Sequence, residues 1–137
     1  MLLLLVLLCL SARPFPADTA PLTVTVTGIP AERGDVLVGV WKASENFLAD
    51  ETRIAGRVLP ARAGSITCTF PDLPKGAYAI SALHDADRNG RMSKSLLGWP
   101  VEAYGFSNNA RGLFGAPSYT DCAFELRGAT EVRIAVK

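Results

Sequence analysis

Apolar and polar residues alternate with a period of two along much of this chain, and helical spacing is hard to find. Leu22, Val24 and Val26 alternate with Thr23, Thr25 and Thr27, which predicts a half-buried strand ended by Gly28 and Pro30. Residues 35–42, DVLVGVWK, are apolar on both faces, as in a strand covered on both sides. In SENFLAD, which follows, Ser44 is placed to cap one helical turn, with Phe47 and Leu48 turned inward. Arg53 to Leu59 reads as a weaker strand stopped by Pro60. Ile66, Cys68 and Phe70 share one face of the next strand. After the turn signals Pro71, Pro74 and Gly76, residues Tyr78, Ile80, Ala82 and His84 share one face of another. Near the end, Cys122, Phe124 and Leu126 align in one short strand and Val132, Ile134 and Val136 in a second, joined around Gly128. About seven short strands with frequent turn signals predict an all-β, immunoglobulin-like Greek-key sandwich.

Residues 85–119 break that rhythm. Loops beyond ~12–15 residues are unusual inside a compact domain and often carry function. This one holds Leu96, Leu97, Trp99, Val101, Tyr104, Phe106, Leu113, Phe114 and Tyr119, too many apolar side chains for a solvated linker. It is expected to fold back as a packed lobe, without strands of its own, over one end of the sandwich.

The first segment, MLLLLVLLCLSARPFPADTA, has another character. Leu2 to Leu10 form an apolar run far shorter than the ~20 residues of a membrane span, followed by small residues and prolines. It reads as a secretory signal occupying about residues 1–20, which leaves 21–137 as one exported domain, periplasmic or extracellular, with no transmembrane span. Among 137 residues the formal charge is +1, with both signs interspersed, so no basic stripe points to nucleic acid. Two cysteines remain after the leader, Cys68 and Cys122. Export permits a disulfide worth ~3–4 kcal/mol between them; two buried free thiols are the equal alternative.

FPDLPKGAY, residues 70–78, resembles the F-x-x-L-P-x-G-x-Y pattern of transthyretin-like and carboxypeptidase-regulatory-like sandwich domains. Leu73 is placed to pack under the turn, Gly76 to permit the bend and Tyr78 to plug the core. The mature chain is more similar still to a secreted bacterial family, domain of unknown function 2141. That likeness rests on VTVTG, FPDLPKGAYAI, HDADRNGRM and above all GWPVEAYGFSNNARGLFGAPSY. The resemblance covers nearly all of residues 22–136. It implies the sandwich and export but no activity, and it departs from the family's pattern at Ser93, where Asp is usual.

Two places carry candidate chemistry. In HDADRNGRMS, residues 84–93, Asp85, Asp87 and Asn89 stand at the first, third and fifth positions of a calcium-type loop, with Gly90 sixth. The twelfth position, where an EF-hand has its bidentate Glu, is Leu96, so this is no EF-hand. A calcium site needs Glu102, Asp121 or backbone carbonyls to close the shell, and Arg88 and Arg91 oppose it. The plainer alternative is an Asx-type turn with Gly90 at positive φ. In YGFSNNARG, residues 104–112, Tyr104 and Phe106, with Trp99 before them, offer flat apolar faces; Asn108, Asn109 and Arg111 offer directional hydrogen bonds. That mixture suits a small molecule, glycan or peptide. The competing role is internal, with the asparagines in left-handed turns and Arg111 bridging to Asp85, Asp87 or Asp121.

The sole histidine, His84, sits at a strand end, where bonding to the loop backbone is the expected role rather than catalysis. No nucleophile–base pairing, phosphate loop or strong metal-ligand cluster is visible. The reading therefore leans away from an enzyme and requires no cofactor, calcium excepted. It favours a binding or accessory module using the 85–119 loop. A calcium-stabilised envelope protein, pairing through a sheet edge, and a transthyretin-like hydrolase are the alternatives.

Overall fold

The strictly alternating strand β1 (Thr19–Ile29) lies at the centre of a three-stranded sheet, with β4 (Gly64–Pro74) antiparallel on one side and β8 (Thr130–Ala135) parallel on the other. The computed structural model describes residues 18–42, 45–93, 96 and 101–137. Alternation drives Leu22, Val24 and Val26 into the core, none more than 1% exposed. On the other face, the threonines of β1 meet threonines of β4 across the ladder, Thr25 Oγ1 lying 3.0 Å from Thr67 Oγ1.

The second sheet runs β3 (Arg53–Pro60), β2 (Asp35–Trp41), β5 (Gly76–Asp85), β6 (Tyr104–Phe106). The short β7 (Phe124–Leu126) pairs with the start of β5. The doubly apolar DVLVGVW is central, between β3 and β5. Val36, Val38 and Val40 face the first sheet, and so do Tyr78, Ile80 and Ala82 of β5. Tyr78 is fully buried and its hydroxyl donates to the Pro74 carbonyl, so the ring fills the core while its polar end is satisfied within the preceding turn. Where β6 approaches β8, only a glycine fits. A Cβ on Gly105 would stand 2.5 Å from the Ala135 oxygen and 2.9 Å from Ile134 Cγ2. Tyr104 and Lys137 exchange backbone hydrogen bonds there, which ties the two sheets together along one side.

The all-β two-sheet sandwich is thus observed, with eight strands. Two local expectations are corrected, and a third feature is new. First, the 85–119 segment does contain a strand, β6. Three residues with a central glycine are too short for alternation to reveal. Second, Cys122 does not extend β7 but ends a single helical turn, α1 (Tyr119–Cys122). Ser118 Oγ accepts from the Asp121 amide and caps that turn, and the S-x-x-D spacing was the available signal. Third, β7 and β8 are consecutive but lie in different sheets. Cys68 and Cys122 are consequently free thiols in separate apolar clusters, one between the sheets and one on the outer face of the second sheet. Residues 1–17 of the expected leader, the expected Ser44 cap, Leu97 and Trp99 lie outside the described residues. Among the described residues no helix is long and apolar enough to cross a membrane.

Candidate functional site

The outer face of the five-stranded sheet is only partly covered. Over one end, Phe47, Leu48, Ala110 and Tyr119 pack on Ala79, Phe106 and Cys122 as a second small core. Its rings meet edge to face: Phe47 lies 5.7 Å from Trp41 and 5.7 Å from Tyr119, and Tyr104 lies 5.9 Å from Phe106. Trp41 lies over Gly39, and a Cβ there would collide with its ring. The indole nitrogen donates to the Ala49 carbonyl at 3.0 Å. Beyond this cover the sheet opens into a trough of about 640 Å³.

Register explains the trough. Gly56, Gly39, Ser81 and Phe106 stand side by side across four strands, as do Val58, Leu37, Leu83 and Tyr104 in a parallel row. The glycines of the first row are covered by the Trp41 ring and by the Arg53 side chain, so these two side chains form the floor there. The second row and Met92 form an apolar wall. The charged side chains on this face are Arg53 and Arg91 against Asp50, while Arg57 stands opposite Val38 and turns to the first sheet. Arg53 pairs with Asp50 at 2.9 Å, and Arg57 stacks its guanidinium 4.4 Å from the Phe70 ring. Among the described residues Arg91 makes no ion pair.

The polar loop 85–93 supplies Gly90, Arg91 and Met92 to that trough, and its own interior is built from carboxylates. Asp85, 1% exposed, accepts from the Gly90 amide at 2.8 Å and the Asn89 amide at 3.2 Å. Asp87 Oδ1 accepts from the Asn89 amide at 3.1 Å, and Asn89 Oδ1 accepts from the Arg91 amide at 2.9 Å. Gly90 has φ +78, as the turn requires. Glu102, from the far end of the loop, accepts from the amides of Ala86 (3.1 Å) and Ser93 (3.0 Å). Asp85, Asp87 and Glu102 thereby bring carboxylate oxygens within 4.8 Å of one another. Arg88 turns to Asp35 at 3.3 Å, and none of the three carboxylates is ion-paired among the described residues. Burial pushes the Asp85 carboxyl above its ordinary range, with Asp87 and Glu102 adding to the effect. The Asn89 amide holds Asp87 below its own.

The residues singled out from the sequence divide between these places. Tyr104 and Phe106 line the trough. Asn108 and Asn109 do not. Both have positive φ, and their amides are used inside the fold: Asn108 Nδ2 donates to the carbonyls of Asp121 and Ala123, and Asn109 Oδ1 accepts from the Ala135 amide. Arg111 is exposed and bridges to none of Asp85, Asp87 and Asp121. Asp121 is on α1 and takes no part in the carboxylate group, whereas Glu102 does. His84 is buried, and its Nε2 lies 2.6 Å from the Arg33 carbonyl oxygen, a bond to loop backbone.

Ser107 was missed. Along the outer edge of β5, β6 serves Ser81–Leu83 and β7 serves Gly76–Tyr78, which leaves a gap between them. The Ser107 hydroxyl fills it, accepting from the Ile80 amide at 2.9 Å and donating to the Cys122 carbonyl at 2.6 Å. A serine in SNN carries no signal of that role, because the gap exists only once both strands have docked.

Neither a curated protein nor a solved structure matches the chain. The family model described as an uncharacterised protein conserved in bacteria, domain of unknown function 2141, matches residues 24–134, and the chain belongs to that family.

Proposed function

We propose that this protein is an exported binding module that seats a small organic molecule, a glycan or a peptide in the trough on the outer face of the five-stranded sheet. The observation that carries this reading is the apolar row Val58–Leu37–Leu83–Tyr104, which lines the trough beside the Trp41 ring that lies over Gly39. Such a concave, mostly apolar surface with a few polar groups is the usual form of a ligand site. The loop 85–93 is one wall, so the long segment serves binding as a border and by supplying Tyr104 and Phe106. The test is a ligand screen by thermal shift on the wild type, Tyr104→Ala and Val58→Asp. Val58 is 66% exposed, so its substitution leaves the core intact. Hits that stabilise the wild type and are lost in both variants support the trough. Hits that persist in both refute it.

A second reading is carried by the carboxylates. Asp85, Asp87 and Glu102 converge from two segments without a counter-charge among the described residues, and Asp85 and Asp87 hold the first- and third-position places of a calcium loop. With the Asn89 side chain, which bonds Asp87, they form an oxygen-rich set suited to calcium. In this reading the ion sets the wall of the trough and stabilises the fold. A rise in melting temperature with calcium, reversed by a chelator and absent in Glu102→Gln, is the expected result; equal melting with calcium and chelator refutes it.

A further inference from the structure

The charges around the trough restrict what can occupy it. The side chains that form its wall are apolar (Leu37, Val58, Leu83 and Met92), while the charged side chains on its face of the sheet are Arg53 and Arg91 against Asp50; Arg57, opposite Val38, turns to the first sheet. Asp50 is already paired with Arg53, and Arg57 is engaged with the Phe70 ring and the Thr69 carbonyl. Arg91 is exposed on the loop wall, its guanidinium in no ion pair among the described residues. A neutral ligand leaves that cation unused, and a cationic one meets an excess of like charge.

We propose that the ligand is an amphipathic anion, with an apolar body lying along the Leu37–Leu83 row and an acidic group meeting Arg91. The proposal rests on the trough reading and adds the sign of the ligand's charge. A guanidinium presents a planar fork of donors that a carboxylate or a phosphate ester fills with two hydrogen bonds. The apolar wall supplies affinity that is indifferent to charge, and Arg91 supplies the discrimination.

The experiment compares three probes of equal chain length below their micellar concentrations: dodecanoate, dodecanol and dodecyltrimethylammonium. Each is titrated by calorimetry into the mature full-length chain and into Arg91→Gln. Dodecanoate is expected to bind the wild type roughly tenfold tighter than dodecanol, the fold-change of a hydrogen bond to a charged group. Dodecyltrimethylammonium should bind more weakly than either. In Arg91→Gln the advantage of dodecanoate over dodecanol should vanish, with dodecanol unchanged. Arg91 is exposed, so the variant has no folding role to lose. Equal binding of dodecanoate and dodecanol, or a dodecanoate advantage that survives in Arg91→Gln, overturns the anion assignment and leaves the trough standing. Tighter binding of the cation does the same. Failure of all three probes to bind defeats the trough as an apolar site, and this inference with it.

Discussion

Replacing Ser107 by alanine removes one oxygen from a position that is fully buried. That oxygen completes two hydrogen bonds, from the Ile80 amide and to the Cys122 carbonyl. Alanine leaves both groups without this partner in a place water does not reach, at about 1–2 kcal/mol for each orphaned neutral group, the lower part of the usual range. The volume lost is small, so a cavity adds little, and the total should be about 2–4 kcal/mol. At roughly 3–5 °C per kcal/mol for a domain of this size, the melting temperature should fall by about 6–20 °C. Urea denaturation measures the first figure and a melting scan the second. Hydrogen exchange at the Ile80 amide reports the site itself. Ser81→Ala is the control: its side chain faces the trough, and substitution there should stay within about 0.5 kcal/mol. A loss below about 0.5 kcal/mol for Ser107→Ala, with Ile80 still protected, refutes the idea that this hydroxyl closes the gap in the β5 edge between β6 and β7.

Calcium stabilisation, if the carboxylate loop holds the ion, depends on pH with a definite sign. Asp85 has a folded-state pKa raised by burial, so without an ion its favourable contribution is present below its ordinary carboxylate value and lost as pH rises through the raised one. A cation offsets that loss, and the calcium-induced shift in melting temperature should grow as pH rises through the same window; a shift independent of pH counts against Asp85 as a ligand. Gly105→Ala should cost about 1–3 kcal/mol, because its Cβ meets the Ala135 oxygen at 2.5 Å, and denaturation at parent-like urea concentrations would show that β6 and β8 can part without penalty. Cys68 and Cys122 should both titrate as free thiols in denaturant and react slowly when native, since burial raises Cys68 and pushes Cys122 up to about 11. Rapid native labelling of Cys122 would mean that the second small core opens readily.

What could be read in advance was whatever local rules control. A period of two in Leu22–Thr27 assigns one face to the core whatever the partner strand is. Apolar residues on both faces of DVLVGVW mark a central strand, and β2 lies between β3 and β5. The asparagines at 108 and 109 tolerate positive φ, and both have it. The carboxylates Asp85 and Asp87 announced themselves by spacing, and Glu102 was a stated way to close their shell. A three-residue strand such as β6 has too few positions to show a period. The helical turn at Cys122 imitates a strand, because residues 122, 124 and 126 keep the apolar alternation across the junction.

By itself, then, the sequence determined the all-β character, the faces of the long strands and the local geometry of the polar loop, since each depends on residues within a few positions of one another. Tertiary structure decided the rest. It placed the two cysteines in separate clusters, used Asn108 and Asn109 as internal ties and brought Glu102 to Asp85. It also set Val58, Leu37, Leu83 and Tyr104 in one row along the trough. The physical reason is that cross-strand register and sheet-edge gaps depend on which distant segments pair, and that choice is settled by burial summed over the whole domain rather than by any short stretch of chain.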